Sequence, residues 1–123
     1  MRIYFSNDPD FTTSDWYHDI VTGSTEYNVK QASGGKGANY FRLYKVPSGC
    51  EFRLRSYMAD KLITNSTLIR ATNFETTTGV IDYFSLLMHP KRAFAPGVFK
   101  LHDYLFLVEP EYNIHKVEVT FNI

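Results

Sequence analysis

Polar and apolar positions alternate with a period of two through most of the chain. At the C-terminus Val117, Val119, Phe121 and Ile123 alternate with Lys116, Glu118, Thr120 and Asn122, as in a strand buried on one face. Cys50, Phe52, Leu54 and Met58 alternate in the same way with Glu51, Arg53, Arg55 and Tyr57. Residues 40 to 46 form a second aromatic and β-branched run. Further strands are predicted over 2–5, 16–21, 26–30, 68–73, 80–87 and 98–108. Turn signals separate them: Asn7-Asp8-Pro9, Thr22-Gly23-Ser24, Gly34-Gly35-Lys36-Gly37, Ala95-Pro96-Gly97 and Glu109-Pro110.

Pro47-Ser48-Gly49 lies between the runs 40–46 and 50–58, so the two are predicted to form a β-hairpin. Pairing Pro47 with Cys50 sets Tyr44 opposite Arg53, Arg42 opposite Arg55 and Tyr40 opposite Tyr57. Phe41, Leu43, Phe52 and Leu54 then share the other face, whereas a slip of one residue would mix core and charged positions. Residues 80–89 carry the one helical alternative, since Ile81, Phe84, Leu87 and Met88 fit helical spacing and Pro90 follows. The pattern predicts a mainly β fold, a single-domain antiparallel β-sandwich or barrel over residues 1–123, with one short helix admitted near 80–89.

Composition agrees with a compact domain: 123 residues, 44% hydrophobic and 16% aromatic. Such a chain can bury one core, and its apolar content excludes a disordered tail. A single cysteine, Cys50, excludes an intramolecular disulfide. The N-terminus lacks the apolar core of a secretory signal, and no apolar run approaches the roughly 20 residues that span a bilayer. Cytoplasmic synthesis is expected.

Thirteen basic residues balance thirteen acidic ones, but not evenly along the chain. Residues 1–29 set Arg2 against five acids, a balance of −4. Residues 30–70 set eight basic residues against two acids, a balance of +6, and the remainder carries −2. On the predicted hairpin one face would show Tyr40, Arg42, Tyr44, Arg53, Arg55 and Tyr57. Arginine interleaved with tyrosine suits a protein interface, where both act as anchors. It also suits single-stranded nucleic acid, where guanidinium groups bind phosphate and rings stack on bases. Asp8, Asp10, Asp15 and Asp19 form a candidate acidic partner surface, so a head-to-tail contact between copies is one physical reading.

Enzymatic chemistry finds little to use. The loop Ser33-Gly34-Gly35-Lys36-Gly37 invites a phosphate reading but fails the Walker spacing, and a mobile hairpin loop is expected instead. His18, His89, His102 and His115 show no metal-binding spacing, and Cys50 falls in a core-facing row. No enzyme, cofactor or metal is expected. Trp16 and Tyr17 beside Asp15, His18 and Asp19 could stack on a sugar ring. The expectation is thus a structural or assembly module that self-associates or docks on a larger body, most concretely a virus or phage particle component such as a decoration, connector or tail protein. A carbohydrate-binding module and a nucleic-acid-binding module are the alternatives. A protein partner or a second copy is the expected binding partner, and a membrane is not.

Overall fold

A computed structural model describes residues 1–11, 15–58, 62–105 and 113–122. Among these residues twelve strands and two short helices follow one another: β1 (Arg2–Ser6), β2 (Asp15–Asp19), β3 (Gly23–Asn28), α1 (Val29–Ala32), β4 (Tyr40–Tyr44), β5 (Val46–Pro47), β6 (Glu51–Met58), β7 (Leu62–Ala71), β8 (Glu75–Thr76), β9 (Ile81–Asp82), α2 (Tyr83–Met88), β10 (Ala93–Ala95), β11 (Val98–Leu105) and β12 (Lys116–Phe121). They form a four-stranded sheet in the order β2-β1-β4-β9, a six-stranded sheet in the order β10-β11-β7-β6-β12-β3, and the small pair β5-β8. All pairs are antiparallel. The mainly β architecture predicted from alternation is the one observed, and it is a sandwich.

The inward rows meet in one core. Ile3, Phe5, Phe41 and Leu43 come from the smaller sheet, and Phe52, Leu54, Ile69, Val117 and Val119 from the larger. Each is at most 1% exposed, so the alternation read from the sequence identified the buried face of these strands.

The predicted hairpin does not form. β4 pairs with β1 and β9, whereas β6 pairs with β7 and β12 in the other sheet. Lys45 takes a left-handed conformation with φ of 50°, and the chain turns out of the smaller sheet there. The backbone N–H of Lys45 is held by the Thr77 hydroxyl at 3.0 Å and that of Leu43 by the Thr78 hydroxyl at 2.9 Å. The turn at Pro47-Ser48-Gly49 does close, with Cys50 N–H donating to the Pro47 carbonyl at 3.3 Å, but it belongs to a corner between layers. The two apolar rows therefore cover one another across the sandwich instead of lying side by side. A single hairpin face would have needed a further layer to cover it.

Three other expectations change. Residues 83–88 are helical, but the buried stripe is Tyr83, Leu86 and Leu87, while Phe84 and Met88 face outward. Asp82 fixes this phase as N-cap, its carboxylate accepting from Phe84 N–H at 3.1 Å. The segment 26–30 leaves the sheet at Asn28, which caps α1 by accepting from Gln31 N–H at 2.9 Å. The glycine segment after α1 is not a hairpin loop. Ser33, Gly34 and Gly35 N–H groups donate to the carbonyls of Val29, Gln31 and Lys30, and Gly37 N–H donates to the Ser33 hydroxyl at 2.7 Å. Those donors are consumed within the chain, so the loop offers no phosphate cradle through them.

Candidate interaction face

The outer face of the smaller sheet gathers residues from three strands. In register across β2, β1 and β4 stand Asp19, Arg2 and Tyr44; then Tyr17, Tyr4 and Arg42; then Asp15, Ser6 and Tyr40. Alternation places all of them on the side away from the core, although Ser6 is fully buried there. Tyr17 and Tyr44 are 47% and 40% exposed, well above what a ring used only for packing would show.

These side chains form a connected surface. Tyr4 lies between Tyr17 and Tyr44, with ring centroids 5.9 and 6.5 Å apart. The Arg2 guanidinium stacks 4.1 Å from the Tyr17 centroid and donates to the Asp19 carboxylate at 2.6 Å. Its hydrogen bonds to the Tyr4 hydroxyl and to Asp19 raise its pKa further still, so this charge is permanent. The Arg42 guanidinium sits 4.7 Å from the Tyr4 centroid and 5.1 Å from that of Phe11, with no carboxylate partner among the described residues. Its Nε is buried without a hydrogen-bond acceptor among them. Arg42 is thus a cation held in place by two rings, with its hydrogen-bonding capacity unspent. Asp15, exposed on the edge strand, likewise has no ion pair among the described residues.

The structure divides the six predicted interface residues. Tyr40, Arg42 and Tyr44 lie on this face. Arg53, Arg55 and Tyr57 lie on the outer face of the larger sheet, where the charges are matched along the strands: Arg55 with Glu118, Arg70 with Glu51 at 2.5 Å, and Lys116 with Glu26 at 3.1 Å. Arg53 Nη1 approaches the Ser66 hydroxyl at 3.4 Å. The basic segment of the sequence is therefore no basic patch in space. Sequence reasoning missed Arg2 and Tyr4, because only the β1–β4 pairing brings them beside Arg42.

The acidic set also separates. Asp15 and Asp19 belong to the same face as Arg42, while Asp8 and Asp10 occupy the turn after β1, where the Asp8 carboxylate accepts from Asp10 N–H at 2.9 Å. Trp16 and Tyr17 do not form a joint platform. Adjacent strand residues point to opposite faces, so Trp16 packs against the core while Tyr17 faces outward.

Other chemistry is buried or structural. Cys50 is fully buried, and desolvation, assisted by Glu51, pushes its thiol up to about 12. No group of three or more metal-ligating side chains occurs among the described residues. No helix among them is long and apolar enough to cross a membrane. No family model, curated protein or solved structure matches this chain.

Proposed function

We propose that the protein is a non-catalytic assembly module that self-associates through the outer face of its smaller sheet. The observation that carries this reading is the juxtaposition, on one surface, of Arg42, held between aromatic rings, and Asp15, exposed, neither with an ion-pair partner among the described residues. Head-to-tail association would need complementary charges on two separate surfaces. A single surface with both signs is complementary to itself, which is the requirement of a two-fold contact.

The spacing suits that symmetry. Asp15 and Arg42 are two strands and two residues apart, about 12 Å for strands ~4.8 Å apart rising ~3.4 Å per residue. Among the described residues the two form no ion pair within one copy. A two-fold axis in the plane of contact, passing over β1 between Tyr4 and Ser6, sets each Arg42 against the Asp15 of the second copy. The Tyr4–Tyr17 pairs then meet near the axis, where desolvated rings contribute most. The face spans only a few short strands, below the roughly 1,200 Å² of total buried surface that marks stable complexes, so the isolated contact is weak. Repetition on a larger body would strengthen it by avidity. By analogy of size and β content, a virus or phage particle is the most concrete setting for such a module.

The hairpin that supported nucleic-acid binding is not formed, and the Trp16–Tyr17 sugar platform is divided by the sheet. Charge exchange tests the proposal. Arg42→Asp and Asp15→Arg should each weaken self-association at least tenfold, and the double exchange should restore most of it. Single variants that associate like the parent would refute the two-fold contact.

A further inference from the structure

On the opposite sheet, the end of β3 with the start of α1, the start of β12 and the end of β6 border a half-open cavity of about 210 Å³ lined by Asn28, Lys30, Tyr57, His115 and Lys116. Two lysines, an asparagine, a tyrosine and a histidine make up this lining, and no acidic residue belongs to it among the described residues. Lys30 has no ion pair among the described residues, whereas Lys116 reaches Glu26 at 3.1 Å outside the lining. Tyr57 and His115 rings lie nearly parallel, 10° apart with centroids separated by 6.3 Å, and the Lys116 ammonium stands 5.6 Å from the Tyr57 centroid.

The walls are fixed by the chain itself. His115 Nδ1 accepts from Tyr57 N–H at 2.9 Å, which sets the imidazole plane. Lys30 N–H donates to the His115 carbonyl at 2.9 Å, and Gly35 N–H donates to the Lys30 carbonyl at 2.7 Å. Gly37, at φ of 73°, leaves room for the imidazole, since a Cβ there would stand 2.6 Å from His115 Cδ2. A cationic cavity whose backbone is already held loses little entropy when it is filled.

We propose that this cavity binds an oxyanion group, phosphoryl or carboxylate, of a small ligand whose flat remainder rests on Tyr57. Its volume is below the roughly 300 Å³ at which pockets enclose whole drug-sized ligands, so it takes one anionic group rather than an entire nucleotide. Lys30 supplies the unmatched charge and Lys116 a second ammonium that it shares with Glu26, with Asn28 as a polar contact and Tyr57 as the ring surface. The site lies on the larger sheet and is independent of the self-association proposed for the smaller one.

Amide chemical shifts of the full chain, followed while inorganic phosphate, acetate or phenyl phosphate replaces chloride at constant ionic strength, test this proposal. Saturable shifts centred on Lys30, Tyr57, His115 and Lys116 are expected, with low-millimolar dissociation constants for the simple anions. Tighter binding of phosphate than of acetate identifies a phosphoryl ligand, and the reverse a carboxylate. Phenyl phosphate should bind about two- to tenfold more tightly than phosphate if the ring stacks on Tyr57. Lys30→Ala should weaken binding at least fivefold, and Lys91→Ala, an exposed lysine elsewhere, should not. Non-saturating shifts, shifts spread equally over all lysines, or full binding by a Lys30→Ala variant whose spectrum shows the native fold would overturn the proposal.

Discussion

His18 projects inward from the edge strand β2, its Nε2 3.0 Å from the Thr25 hydroxyl and its ring stacked on Tyr27 with centroids 5.2 Å apart. It bridges the two sheets through β3. Burial lowers its pKa below the usual 6.5, with Asp19 opposing the shift. The unfolded chain therefore takes up this proton more readily than the folded one. Stability should be level above about pH 6.5 and fall as the pH drops from there through the lower folded-state value. Urea unfolding at pH 7.5, 6.0 and 5.0 should show a smaller acid loss for His18→Gln than for the parent. Parallel pH profiles for the two proteins would contradict this role. In the sequence His18 reads as one polar residue of the group around Trp16, and only the inward phase of β2 reveals that it packs inward alongside Trp16.

Among the elements, α2 shows what alternation could not disclose. Its last carbonyls converge on Lys100, a fully buried lysine of β11 whose ammonium donates to the carbonyls of Leu86, Leu87 and His89 at 2.7, 2.9 and 2.7 Å. Asp103 completes the cluster at 2.8 Å. A cation at a helix C-terminus meets both the orphan carbonyls and the negative end of the dipole. A β-bulge between Lys100 and His102 accompanies this arrangement. Lys100→Met should cost about 3 kcal/mol or more, because it leaves buried acceptors and a carboxylate uncompensated. Equilibrium denaturation measures this, and a loss below about 1 kcal/mol would mean the cluster is not needed. A lysine in an apolar run reads as an outward position, so its inward placement had no signal in the sequence.

The corner at Lys45 explains the failed hairpin. Phe41 and Leu43 have the same parity whether they lie beside Phe52 and Leu54 or across the core from them, so alternation finds the buried face but not the partner strand. The left-handed φ at Lys45 decides between these arrangements, and nothing about lysine announces it. Lys45→Gly should stabilise the protein by about 1 kcal/mol, since glycine adopts this conformation without the Cβ penalty. A loss of stability on denaturant unfolding would argue against the strained corner. Most of the longer strands and of the core were legible, because they depend on local periodicity alone, whereas the helix near 80–89 was admitted only as an alternative and with the wrong buried stripe.

For the whole molecule, folding redistributes the charge that the sequence sorts into blocks. Arg55 and Arg70 from the basic middle meet Glu118 and Glu51, and Arg2 meets Asp19, so the +6 segment leaves no continuous basic surface. What remains unpaired is more informative than the total. Arg42 and Asp15 lie on one aromatic face, three of whose rings were anticipated in the sequence and whose Arg2 and Tyr4 were not. The proposed self-association through that face rests on its complementarity to itself.

Sedimentation velocity of the unmodified protein from about 10 µM to 1 mM tests this claim most directly, the range in which an interface of this size should act. A monomer–dimer equilibrium that stops at the dimer and is weakened by salt is the predicted result. A sedimentation coefficient that stays monomeric to 1 mM, or one that keeps rising past the dimer, would contradict the two-fold contact.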